Sequence, residues 1–141
     1  MALVGPIIYF NTMKKSGEKR VYKALNHLAE ANNCKIDEYD VWGTSGIAID
    51  KSSKKVFYVK KDSKNDVVVD LTFVKLCREF ETKGKSKLFT ERLELIFDLT
   101  NSANGSINIE FYNGQNSNFA VSDEDKLLQK WQQIVNKTIA L

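Results

Sequence analysis

The intervals between apolar residues predict an amphipathic helix near the start of the chain. Val21 and Leu25, with further apolar residues three and four positions on, would share one face of a helix over residues 17–32. Ser16 suits the position before this helix, because its hydroxyl can accept a hydrogen bond from the first turn. The two asparagines at 32 and 33 suit a left-handed helix end. We therefore expect an amphipathic helix that stops there.

A second amphipathic helix is predicted at the end of the chain. Residues 122–125, Ser-Asp-Glu-Asp, resemble a capping box that places acidic groups in the first turn. The residues that would share its apolar face are Leu127, Leu128, Trp131, Ile134, Val135 and Thr138. We expect this helix to be structural, with Trp131 buried against the strands.

Between the helices the apolar residues mostly alternate with polar ones, a period of two that indicates β-strands. Polar turns separate the segments, and Asn104-Gly105 is a strong hairpin signal. The predicted strands cover residues 36–42, 46–50, 54–61, two strands within 67–80 that meet at a bend near Val74, 93–99 and 107–112. About seven antiparallel strands with one closing helix predict an α+β fold, a barrel or orthogonal sandwich whose open end the helix plugs.

Composition limits the alternatives to a single small folded unit. The chain has 141 residues, 43% of them hydrophobic, which is enough for one compact domain and too apolar for disorder. The apolar stretch at residues 2–10 is less than half a membrane span. It is interrupted by Gly5-Pro6 and lacks a basic region before it, so we expect an edge strand or ordered arm rather than a signal peptide.

The strand and helix pattern resembles the pleckstrin-homology-like superfold, in which seven strands form two near-orthogonal sheets and a C-terminal helix caps one corner. The resemblance covers residues 36–139 and depends on the strands at 47–50 and 55–59, the hairpin at 93–112 and Trp131. It implies an N-terminal arm and helix over residues 1–35, packed on a pleckstrin-homology-like domain over residues 36–141. The sequence also resembles small bacterial proteins with an N-terminal helix before such a domain.

The first predicted hairpin departs from the lipid-binding members of that superfold, which place several basic residues there. Residues 36–50 contain four acidic residues and no basic one. The resemblance therefore does not imply phosphoinositide binding, and a superfold by itself implies no function. The absence of a recognisable catalytic set favours a non-catalytic binding module whose partner is a protein or a peptide.

Lysine-rich segments support an alternative function, weak binding of an anionic lipid surface or of nucleic acid. Two predicted loops supply the candidate residues Lys60, Lys61, Lys64, Lys83, Lys85 and Lys87. If the loops converge, each lysine contributes roughly 1 kcal/mol to attraction by an anionic membrane. Nucleic acid is the less favoured ligand, because only three of the 21 basic residues are arginines, whose planar group suits phosphates and base edges.

Catalytic and metal chemistry find little support in the sequence. His27 is the single histidine and is expected at the helix surface, so we expect no metal site and no cofactor. Cys34 and Cys77 show no paired spacing and are expected to be reduced, structural thiols of a cytoplasmic protein. The carboxylates near Arg78 and Arg92 are expected to form cross-strand ion pairs. An enzyme of unknown type remains the third alternative.

Overall fold

A computed structural model describes residues 16–60, 66–83, 90–100, 105–114 and 123–141. Within these residues the fold is α+β, with seven antiparallel strands in two sheets, one α-helix before the strands and one after them. In chain order the elements are α1 (Ser16–Ala31), β1 (Glu38–Trp42), β2 (Ser45–Asp50), β3 (Lys55–Lys60), β4 (Val67–Asp70), a 3-10 helix (Leu71–Phe73), β5 (Val74–Lys83), β6 (Thr90–Leu99), β7 (Ser106–Asn113) and α2 (Glu124–Ile139). The predicted α+β class and strand count are confirmed. The described strands form two separate sheets and do not close a barrel, and the pleckstrin-homology-like arrangement stays a prediction.

The ends of several elements have the local causes that the sequence indicates. Asn33 has φ +58° directly after α1, the left-handed conformation expected there. Gly43 has φ +54° in the tight turn between β1 and β2. The 3-10 helix interrupts the long apolar segment near Val74, where a bend was predicted, and its first turn is held by the Asp70 side chain, which accepts a hydrogen bond from the Thr72 N–H.

Two capping predictions differ from the structure. Ser16 is already the first residue of α1, so it does not stand before the helix as expected. Asp123 is the N-cap of α2, and its side chain makes no capping hydrogen bond. Ser122 and Asn104 lie outside the described residues. The boundaries shift because a cap depends on the local backbone angles as well as on the residue type.

The chain divides into two compact units, residues 1–68 and 69–141. One sheet has the strand order β1-β2-β3-β4, and in the first unit α1 packs on its strands β1, β2 and β3. The buried face of α1 meets one face of β2 and β3 in a cluster that consists of Val21, Leu25, Ala29, Ala48, Phe57 and Val59. The residues that alternate with these in β2 and β3, such as Ile49 and Val56, are also fully buried. The two central strands are therefore covered on both faces.

A glycine permits the close approach of α1 to β2. A Cβ atom at Gly46 would lie 2.6 Å from Val21 Cγ1 and 2.8 Å from Leu25 Cδ1. Both distances are shorter than carbon atoms tolerate, and the branched Val21 side chain has little rotamer freedom in a helix. The helix can lie this close to the sheet only because residue 46 has no side chain.

In the second unit, α2 packs on the sheet of order β5-β6-β7. Trp131 is fully buried, as predicted, and Leu128 and Val135 extend the buried face of α2 by one turn on each side. The largest fully buried side chains of β5, β6 and β7 are Phe97, Leu95 and Ile109, and Phe111 is nearly as buried. These contacts make α2 a structural element of this unit.

We expect Gly46→Ala to destabilise the protein by about 1–3 kcal/mol, the usual cost of adding a group to a filled core. Gly17→Ala is the matched control, because a Cβ at Gly17 would meet nothing within 4 Å and alanine is the better helix former. Urea unfolding followed by tryptophan fluorescence measures both variants. Equal midpoints for Gly46→Ala and wild type would contradict the close approach.

Candidate interaction surface

The predicted lysine cluster is only partly within the described residues. Lys60 ends β3 and is half-buried opposite Ser45, and Lys83 ends β5 with its Nζ 2.9 Å from a carboxylate oxygen of Glu81. Lys60 belongs to the first unit and Lys83 to the second. The candidates Lys61, Lys64, Lys85 and Lys87 lie outside the described residues. A common anion-binding surface for these six lysines therefore stays a prediction.

A different basic surface is present on α1. Lys19, Arg20 and Lys23 are exposed, on the side of the helix opposite Val21 and Leu25. His27, one turn further on, is also exposed, as predicted. Because the apolar face of α1 is fixed on the sheet, these basic side chains are held at the surface of the first unit.

The cysteines have the surroundings of structural thiols. Burial, together with the negative charges of Asp98 and Glu79, raises the pKa of Cys77 to about 12, so the nucleophilic thiolate is scarce at neutral pH. Cys34 is half-buried, and its Sγ donates to the backbone oxygen of Asn32 at 3.3 Å. Within the described ranges no group of three or more His, Cys, Asp or Glu residues could hold a metal ion. Cys77 is therefore a structural thiol and not an activated nucleophile.

Two cross-strand ion pairs of the expected kind are present in the second sheet. Arg78 Nε lies 2.9 Å from Asp98 Oδ2 on the adjacent strand, and Arg92 Nε lies 3.8 Å from Glu110 Oε2. Lys83 and the Thr90 hydroxyl both donate to Glu81, and these hydrogen bonds lower the pKa of its carboxyl group. These are contacts between partly exposed groups, which contribute little to stability.

Four aromatic residues of the strands, which could in principle offer a stacking surface to a ligand, belong largely to the core. Tyr58 and Tyr112 are buried. Tyr39 and Trp42 are half-buried and pack against other rings, with centroids 4.5 Å apart for Tyr22 and Tyr39 and 6.4 Å apart for Trp42 and Tyr58. Their apolar contacts explain these four residues without a ligand.

Two exposed apolar side chains lie on β5, a surface that the sequence pattern does not indicate. Among the described strands the order is β5-β6-β7, which places β5 at an edge of its sheet. Leu76 is 47% exposed and Phe80 45% exposed, and Arg78 stands between them on the same face. Glu79 and Glu81, on the other face, are exposed as well. From Arg78 to Glu81 the strand is therefore uncovered on both faces.

The outer edge of β5, the edge that faces away from β6, is occupied at Cys77 by a side chain of α2. The Cys77 N–H donates to Asn136 Oδ1 at 2.9 Å, and Asn136 Nδ2 donates to the Cys77 carbonyl oxygen at 2.8 Å. Asn136 belongs to α2, 59 residues away in sequence. No sequence motif predicts this contact, because it depends on the position at which α2 crosses the sheet. By helical spacing Asn136 lies outside the predicted apolar face of α2, so the pattern contains no signal for this contact.

Comparison of the chain with protein families, with curated proteins and with solved structures finds no match. No helix in the described part of the chain is both long and apolar enough to span a membrane.

Asp50 accepts hydrogen bonds from three residues of the first unit. Burial alone would raise its pKa, but four hydrogen bonds outweigh burial and lower the pKa to about 2. The donors are the Lys35 N–H at 3.0 Å, the Ser52 hydroxyl at 2.9 Å, the Ser53 N–H at 3.1 Å and the Ser53 side chain. Asp50 thereby joins the turn after β2 to the segment after α1. Its role is structural.

This arrangement predicts a loss of stability in acid. Because the folded pKa of Asp50 lies below its ordinary value of 3.8, its contribution is complete above about pH 5 and is lost as the pH falls towards 2. The lowered pKa corresponds to about 2 kcal/mol. In urea unfolding at several pH values, Asp50→Asn should be less stable than wild type at pH 6, and the difference should shrink towards pH 2. Ser52→Ala, which removes one donor, should show a smaller effect. Parallel curves for wild type and Asp50→Asn would contradict this assignment.

Proposed function

We propose that the chain is a non-catalytic protein-interaction module that binds an extended segment of a partner along the open edge of β5. The observation that supports this proposal is the exposure of β5 on both faces from Arg78 to Glu81, at the edge of its sheet. An edge strand presents backbone N–H and C=O groups that an added strand can pair with. Leu76 and Phe80 offer apolar contacts beside that edge.

The direction of the backbone hydrogen-bonding groups indicates which residues of β5 would pair with a partner strand. The Cys77 N–H and C=O point to Asn136 and hence away from β6. The pairing with β6 is regular from Leu76 to Thr82, so the backbone groups of Glu79 and Glu81 also point outwards. Those of Arg78 and Phe80 point towards β6 instead. A partner strand would therefore pair with Glu79 and Glu81.

Proline substitution tests strand addition directly. Glu79→Pro removes an N–H that faces outwards, so it should leave the ladder with β6 intact and abolish binding of the partner strand. Glu79→Ala keeps the N–H and is the matched control. The probe is a set of extended peptides selected from a random heptapeptide display library on the wild-type protein. We expect the affinity to fall at least tenfold with Glu79→Pro and with Phe80→Asp.

Circular dichroism and thermal unfolding show whether each variant is folded. Selected peptides that bind wild type and a folded Glu79→Pro variant equally would refute strand addition at β5. If no peptide that binds the wild-type protein can be selected, the proposed binding of an extended segment is refuted.

The exposed basic face of α1 favours one second candidate, weak binding of an anionic surface. Vesicles that contain phosphatidylserine should bind the chain at about 50 mM salt and release it at about 200 mM, because such binding depends on charge. One variant reverses the charges of Lys19, Arg20 and Lys23, and a separate variant reverses the charges of the lysines in the predicted loops. Comparison of the two variants shows which surface binds the vesicles. Binding that survives both sets of substitutions would exclude either surface.

A further inference from the structure

Asn136 makes the same pair of hydrogen bonds with β5 that one residue of an added strand would make. In a hydrogen-bonded antiparallel pair, two residues exchange both of their N–H···O bonds. The Asn136 carboxamide does this with Cys77, accepting from its N–H and donating to its carbonyl oxygen, at 2.9 and 2.8 Å. One position on the outer edge of β5 is thus occupied by a side chain of the same protein.

The carboxamide is held in this position by the packing of α2. Trp131 and Val135 are fully buried on α2, and Thr138, two residues beyond Asn136, is buried too. The Cys77 side chain is fully buried. An incoming strand could pair with the Cys77 backbone only by displacing the half-buried Asn136 carboxamide, and a polar group that loses its partners away from water is costly. Pairing at Glu79 and Glu81 requires no such displacement.

We propose that Asn136 sets the register in which a partner segment adds to β5, by closing the edge at Cys77 and leaving Glu79 and Glu81 as the positions that pair. This inference rests on the proposed function, since it requires a partner that adds as a strand. Asn136 acts here as a positioning residue, because it directs where binding occurs without contacting the paired stretch of the partner.

The register also gives the chemistry of the partner. The partner residue opposite Glu79 would lie on the face that carries Glu79 and Glu81, where a basic side chain is favoured. The next residue of the partner lies on the other face, beside Phe80, where an apolar side chain is favoured. The segment that fits is extended and contains a basic residue followed or preceded by an apolar one.

Amide hydrogen exchange measured by NMR tests the closure of the edge without any partner. In Asn136→Ala, the Cys77 amide should exchange at least tenfold faster than in wild type. Asn136→Asp keeps an acceptor for that amide and should retain most of the protection. Gln133→Ala, an exposed position on the same helix, is the control and should change nothing. The Phe97 amide, on the central strand, reports whether a variant has lost global stability.

The selected peptides then test the register. In wild type, a bound peptide should protect the Glu79 and Glu81 amides and leave Cys77 unchanged. In Asn136→Ala, the Cys77 backbone becomes available for pairing. The same peptide should then bind in a register shifted by two residues along β5, or in a mixture of the two registers. Intermolecular NOEs identify the residue opposite Glu79 in each complex.

Two results would overturn the inference while the proposed function stands. One is a Cys77 amide that exchanges equally fast in wild type and in a folded Asn136→Ala variant. The other is an identical peptide register in both proteins. If no peptide protects Glu79 or Glu81, the register assignment fails together with the proposed function, whereas the exchange rate of Cys77 still shows whether Asn136 closes the edge.

Discussion

Each unit depends on an amphipathic helix that covers the apolar face of an antiparallel sheet. In the first unit, Gly46 allows α1 to approach so closely that Val21 and Leu25 occupy the space of a missing side chain. In the second, Trp131 of α2 is fully enclosed over its sheet. Burial of apolar area is the main favourable contribution to folding in both cases. Apolar burial, however, covers the faces of a sheet. The backbone N–H and C=O groups at the sheet edges need other hydrogen-bond partners.

The edge of β5 combines protection with access. Asn136 pairs with the backbone at Cys77, whereas the stretch after it carries charged residues on both faces. Charges on an edge strand discourage indiscriminate pairing with other strands. A partner must therefore match both the backbone and the side chains, which is the basis of selective recognition. Exposed Phe80 and Leu76 supply the apolar part of that match.

The groups with the largest pKa shifts serve the fold. Asp50 owes its low pKa to hydrogen bonds that join two segments of the first unit. Cys77 owes its high pKa chiefly to burial under α2, which makes the thiol a poor nucleophile at neutral pH. Perturbed pKa values often mark active sites, but structural networks produce them too. Both groups here belong to such structural arrangements.

The sequence by itself determined the secondary structure and the inward faces of both helices. Periods of 3.6 and 2 residues, with local turn residues such as Asn33 and Gly43, act over a few neighbouring positions and can be recognised without knowing the fold. They predicted the α+β class, the break before Val74 and the burial of Trp131. They also assigned His27 to the surface, because it lies off the apolar face.

Tertiary structure alone decided which strand lies at a sheet edge and which side chain contacts that edge. Leu76 and Phe80 have the alternating pattern of any strand, and their exposure follows from the order β5-β6-β7, which is a relation between distant segments. The contact between Asn136 and Cys77 spans 59 residues and depends on the position of α2 over the sheet. The same limit applies to Lys60 and Lys83: charge can be counted in a sequence, but convergence of loops is a property of the folded chain.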